Sequence, residues 1–314
     1  MPGPIRTIHR ERIRLLTAFC VLLMALNAGC KSANPSVQSN ASADQHQFTD
    51  ETGRAVTIKT SPQRIISLAP NLTEMLFALG LGDRVVGVTS YCDFPLEAKS
   101  KAKVGDTLQP NSERIIALKP DLVIISTSSQ LEKITRQLDE LKIPVYITNP
   151  RTVREVIASI RNLGQITGAN IRAEEFVGTM NRRLDAVEQQ IRSEAKPRVF
   201  YVLQNSPLIT AGKNTFINDL INLAGAQSIS GDEAKDYPQF SRETVIARAP
   251  EIIIVPQSHG TDIVSESDLR RDFATTPAVR NNRIVRVNPD LIDRPGPRII
   301  DGLEQLAKAL HGEK

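Results

Sequence analysis

The sequence predicts an α/β protein of two Rossmann-like lobes, each with a mostly parallel sheet, joined by one long helix. Three observations carry this. From residue 64 onward, short β-branched runs alternate with amphipathic helical stretches, the pattern of parallel strands covered by helices. A phrase occurs twice: residues 113–125, ERIIALKPDLVII, align without a gap on 243–255, ETVIARAPEIIIV. Between the copies, residues 153–194 are rich in helix formers, with apolar positions near a 3.6-residue period.

The amino terminus reads as an address. Arg6, Arg10, Arg12 and Arg14 stand against Glu11 alone, and an apolar run over residues 15–26 follows, as in a secretory signal. The run is shorter than the roughly 20 residues that span a bilayer. It ends in Leu26-Asn27-Ala28-Gly29-Cys30, which resembles the bacterial lipobox and makes Cys30 the expected acylated residue, although Asn27 stands where an apolar residue is usual. Residues 1–29 are thus expected to be a lipoprotein signal, and residues 30–46, polar and without period, a flexible tether. Formal net charge is +4 from 39 basic and 35 acidic residues; losing four arginines and one glutamate with the signal brings the two nearly into balance. The basic excess therefore gives no reason to expect nucleic acid.

The first lobe is expected over residues 47–168, with strands at 64–68, 85–89, 122–126 and 145–148 and helices at 72–79 and 131–141. Asn71, with Glu74 three residues later, reads as a capping box. Gly164 and Gly168 break the helical region, leaving one long helix from about 171 to 193 inside an interlobe segment of 169–196; at 1.5 Å per residue it spans roughly 35 Å, a stiff hinge. The second lobe, 197–314, begins with the strand RVFYVL at 198, then PLITAG, a helix over 216–223 ended by Gly225, and strands at 252–255 and 284–287. GKNT at 212–215 lacks the first glycine of a phosphate loop and reads as a turn into a helix.

Little in the chain suits catalysis. Cys20 leaves with the signal and Cys30 is the lipid site, so Cys92 has no disulfide partner and reads as a small packing residue. A thiol enzyme would have to pair Cys92 with His259, and no G-x-S-x-G elbow occurs. No His/Cys cluster suggests a metal. Aromatic residues are 4% of the chain, with four tyrosines and no tryptophan, which limits stacking on a planar ligand.

The stretches RIISLAPNLTEMLFALG, VVGVTSYCDFP, NSERIIALKPDLVI, RVFYVLQNSPLITAGKNTFINDLINLAGAQ, YPQFSRETVIARAPEIIIV and RPGPRIIDGLEQLAKAL resemble the cobalamin-binding branch of the helical-backbone ABC-transporter substrate-binding proteins, over about residues 48–312. The resemblance implies a monomeric receptor with its ligand held in the cleft between the two lobes; the expected signal and lipid site make it exported and lipid-anchored, periplasmic or at the cell surface. It carries no cofactor of its own and delivers cobalamin to a permease dimer with its ATPase. It places permease-docking carboxylates at Glu113 and Glu243, the residues that head the internal repeat. It also places ligand contacts at Pro70, Asn71, Tyr91, Asp93, Thr107 and Leu108 of the first lobe, and at Gln204, Asn205, Tyr237, Asp290 and Arg294 of the second. Tyr91 and Tyr237 would lie against the corrin face, and Arg294 would meet amide or phosphate oxygens. Some members have tryptophan where Thr107 and Tyr237 stand. A ferric siderophore or haem is the alternative ligand within the same fold.

Overall fold

The computed structural model describes residues 44–127, 131–258, 261–262 and 264–312; the expected signal segment, Cys30, most of the tether and His259 lie outside them. The described chain opens with an antiparallel hairpin, β1 (Gln45–Thr49) on β2 (Ala55–Lys59), in which Gln45 faces Lys59. Val56 and Ile58 alternate inward on β2, so the hairpin has a buried face. Gln45 and His46, the last two residues of the expected tether, are paired in this hairpin.

Five parallel strands form the first sheet: β3 (Ile65–Ser67), β4 (Val85–Val88), β5 (Ala102–Lys103), β6 (Leu122–Ser126) and β7 (Val145–Thr148), in the order β5-β4-β3-β6-β7. Helices α1 (Pro70–Ala78), α2 (Ser112–Ala117) and α3 (Leu131–Glu140) connect them. The capping box expected at Asn71 and Glu74 is not formed. α1 starts at Pro70, with Ala69 as an N-cap that makes no side-chain bond. Proline at the first position is already set at a helical φ and lacks one of the N–H groups a cap would satisfy, which leaves Asn71 and Glu74 free for other partners.

Helices α4 (Val153–Thr167) and α5 (Asn170–Ile191) form a hairpin at Gly168, whose φ of 75° is the left-handed turn that ends α4. Gly164 allows the close crossing: a Cβ there would sit 2.3 Å from Cβ of Ala173. α5 has 22 residues, roughly 33 Å of helix. Its buried residues, Ala173, Val177, Met180, Leu184 and Val187, recur every three or four positions and make one apolar stripe. That stripe belongs to a continuous core running from Val56 in the first lobe to Leu310 in the second. The interlobe helix is thus part of the core and not a free linker.

The second lobe contains β8 (Arg198–Tyr201), β9 (Gln204–Asn205), β10 (Leu208–Ile209), α6 (Phe216–Leu223), β11 (Gln227–Ser228), α7 (Arg242–Arg248), β12 (Ile252–Ser258), β13 (Thr261–Asp262), α8 (Glu266–Asp272), α9 (Pro277–Arg280), β14 (Ile284–Val287), α10 (Pro289–Ile292) and α11 (Ile299–His311). Its parallel strands run β11-β8-β12-β14, the same second-first-third-fourth order as β4-β3-β6-β7. The repeated phrase has the same geometry in both lobes. Asn111 Oδ1 caps α2 by accepting from Arg114 N–H at 2.9 Å, and Ser241 Oγ caps α7 by accepting from Thr244 N–H at 3.1 Å. Lys119 and Ala249, each before the repeat's proline, have φ of 46° and 44°. The acid after each proline then anchors the neighbouring strand: Asp121 accepts from Arg64 N–H and Glu251 from Arg198 N–H, both at 2.8 Å.

Candidate functional site

In an open parallel sheet of this order, a crevice forms outside the carboxyl ends of the strands, where successive connections leave to opposite sides. Pro70 and Asn71 open α1, just past the end of β3 at Ser67, and Tyr91 and Asp93 follow β4. Thr107 and Leu108 lie in the loop after β5, held by Asp106, whose Oδ1 accepts from Leu108 N–H at 2.8 Å. In the second lobe Gln204 and Asn205 form the β9 strand of a tight hairpin with β10. Gln204 Nε2 donates within that hairpin to the Ser206 carbonyl at 2.8 Å. Tyr237 is carried alongside, because Thr210 N–H donates to Pro238 O and Gly212 N–H to Asp236 O. Tyr91 is 59% exposed and Tyr237 43%. Both rings are therefore open to solvent.

The fold brings Asp93, Asp290 and Arg294 together. Arg294 Nη1 lies 2.9 Å from Asp93 of the first lobe, and Nη2 lies 2.9 Å from Asp290, one helical turn earlier in its own lobe. Burial works against ionisation of Asp93, yet its hydrogen bond from Arg294 and the guanidinium charge outweigh that and hold the carboxyl below its ordinary range. Two further members, Glu74 and Arg298, escaped the sequence reading. Glu74, nearly buried on α1, accepts from Arg298 Nε at 2.8 Å and Nη2 at 2.6 Å, and from Arg294 Nη1 at 3.3 Å. Asn71 is also buried and donates from Nδ2 to the Pro295 carbonyl at 3.2 Å, so its side chain serves the lobe boundary. These contacts form a clasp between the lobes. A second link joins Arg151 after β7 to Asp236, and Val153 N–H donates to the Asp219 carboxylate of α6 at 2.7 Å. The sequence signal for the clasp was available in Arg294-Pro-Gly-Pro-Arg298, two arginines held on a stiff turn.

Behind the clasp residues, Tyr201 ends β8 fully buried and donates its hydroxyl to Asp293. Burial pushes the Asp293 carboxyl up to about 6, the neighbouring Asp290 charge adds to the rise, and the Tyr201 bond and Arg294 oppose it. Burial also raises the Tyr237 hydroxyl, with Asp236 contributing. A pocket of about 790 Å³ opens beside the clasp, lined by Phe77, Phe94, Phe176, Arg183 and Arg298 among others; none of the ligand residues expected from the sequence lines it.

Glu113 and Glu243 are both exposed, each the second residue of its helix, α2 and α7. A bond from its own backbone N–H, and then one from Ser241, hold Glu243 below the usual carboxylate range. Cys92 is buried, with Thr73 Oγ1 at 3.1 Å and Thr89 Oγ1 at 3.2 Å from its Sγ, which is the packing role expected of it. Among the described residues no group of three or more His, Cys, Asp or Glu is placed to hold a metal ion, and no helix is long and apolar enough to cross a membrane.

Residues 65–291 match the family model for periplasmic binding proteins. The chain belongs to the periplasmic binding protein family. This binding protein is 33% identical over 307 residues to the uncharacterised ABC transporter substrate-binding lipoprotein YvrC of Bacillus subtilis, covering 94% of its own length and 96% of the relative. Among solved structures it is similar to the periplasmic vitamin B12 binding protein BtuF of Vibrio cholerae, with a TM-score of 0.71 and 30% identity over 79% of this chain and 96% of that one. It is also similar to the periplasmic haem-binding protein RhuT of Roseiflexus, with a TM-score of 0.71 and 27% identity over 79% and 97% of the two chains. The two-lobed α/β plan read from the repeat is thus shared with these solved structures.

Proposed function

We propose that this binding protein is the lipid-anchored receptor of an ABC importer, capturing cobalamin or another corrinoid in the cleft and delivering it to a permease dimer driven by a separate ATPase. The observation that carries the ligand assignment is the 30% identity to a vitamin B12 binding protein across 96% of that protein's length. Tyr91 and Tyr237, one from each lobe and both presented, supply flat surfaces for a corrin. Pro70, Thr107, Leu108, Gln204 and Asn205 complete the wall at the carboxyl ends of the strands, with Asp93, Asp290 and Arg294 as the charged cluster. Absorbance titration with cyanocobalamin tests this assignment, and saturation near one corrinoid per chain is expected.

Glu113 and Glu243 are the docking residues of this reading. A twofold permease presents the same pocket twice, and a carboxylate at the same helical position in each lobe accepts a charge-assisted, bidentate bond from arginine. Both also sit favourably in the first turn of a helix, where the dipole prefers negative charge; the two roles coexist. Acylation at Cys30 provides the anchor, and stable attachment takes more than one chain. Metabolic labelling with palmitate is expected in the whole protein and is lost in Cys30→Ala. Haem is the second reading, favoured by the equal TM-score of 0.71 to RhuT.

A further inference from the structure

We propose that Glu74 and Asp93 set the ligand specificity of the cleft: by holding Arg294 in ion pairs across the lobe boundary, they withhold its charge from carboxylate-bearing ligands and select a macrocycle whose rim carries amides. The inference rests on the reading that ligand binds at this cleft. Its basis is geometric. Asp93 and Glu74 approach Arg294 Nη1 from the first lobe at 2.9 and 3.3 Å, and Asp290 takes Nη2 at 2.9 Å. Arg298 is committed too, its fork taken by Glu74 and its guanidinium lying 4.0 Å from the centre of the Phe94 ring. Two guanidiniums therefore face Glu74, Asp93 and Asp290, with Asp293 adding a further carboxyl from the same turn.

A free guanidinium is the natural partner of a ligand carboxylate, because it offers two parallel bonds. At this site an incoming carboxylate must displace Asp93 and then lie beside Asp290 and Glu74, an approach opposed by like charge. An amide donates or accepts and meets no such opposition. Glu74 and Asp93 act through Arg294, so they are positioning residues, and the discrimination they give is a penalty on the wrong ligand.

The test is absorbance titration of the purified protein with cyanocobalamin and with haemin, whose two propionates are carboxylates. Asp93→Asn and Glu74→Gln are each expected to raise the ratio of haemin to cyanocobalamin affinity at least tenfold. That gain falls as salt is added, and adding Arg294→Gln to Asp93→Asn cancels it. The Asp93 side chain is 50% exposed, so Asp93→Asn carries the test if Glu74→Gln, altered at a buried site, melts early. An unchanged ratio in Asp93→Asn overturns the proposal whatever the wild type binds. A wild type that prefers haemin by a ratio that neither variant changes overturns the filter and the corrinoid reading together. If the variants gain haemin affinity in a protein that binds cyanocobalamin poorly, the filter stands and only the corrinoid reading falls.

Discussion

Asp293 is a residue whose protonation the fold controls. Its folded pKa of about 6 lies above the ordinary carboxylate value, so the native state favours the neutral acid. The stability this gives is fully present below about pH 4 and is lost as pH rises through about 6. Asp293→Asn keeps an acceptor for Tyr201 without the charge. It is expected to gain on the wild type by on the order of 2–3 kcal/mol between pH 4 and pH 8, read as the difference in urea midpoints at the two pH values. Glu74 is a buried carboxyl group whose oxygens are taken by two arginines. Arg298→Ala leaves that charge short of its main partner and is expected to cost about 3–5 kcal/mol in chemical denaturation. Neither Tyr201 nor Glu74 was legible as a site residue in the sequence. The first reads as the end of a buried strand and the second as a helix cap, and only tertiary contact with the 290–298 segment gives each its role.

The elements themselves were largely legible. β6 and β7 fall on the expected residues 122–126 and 145–148, because a run of four β-branched, aliphatic or aromatic residues bounded by proline or polar residues has few other uses. The short pieces escaped. β5, β9, β10, β11 and β13 have two residues each, too few to show a period, and they form because a neighbouring edge offers bonds. Equivalent positions in the repeat give a direct check on the geometry. Ala249 holds a φ of 44°, a conformation that penalises a Cβ, so Ala249→Gly is expected to raise stability by about 0.5 kcal/mol, the relief exceeding glycine's entropic disadvantage. The melting temperature would rise slightly; a fall would show that Ala249 is not held in this conformation. On the interlobe helix, Leu184→Ala empties a fully buried position of the shared core and is expected to cost about 2–5 kcal/mol, with both lobes melting in one transition.

At the scale of the whole molecule, the two lobes repeat one plan and present one carboxylate each at the same helical position. Reversing both charges, Glu113→Arg with Glu243→Arg, is expected to abolish corrinoid uptake in cells while ligand affinity of the purified protein stays within twofold. A parallel fall in affinity would place these residues in the cleft and remove them from the permease contact. The two-lobe plan was readable because the repeat is written in sequence. The clasp that joins the lobes was not, because its partners lie more than 200 positions apart. Isothermal titration of the purified protein with cyanocobalamin, beside haemin, tests the central claim most directly. The account predicts saturable heat at one corrinoid per chain with weaker or absent haemin binding; saturation by haemin with no heat from cyanocobalamin would contradict it.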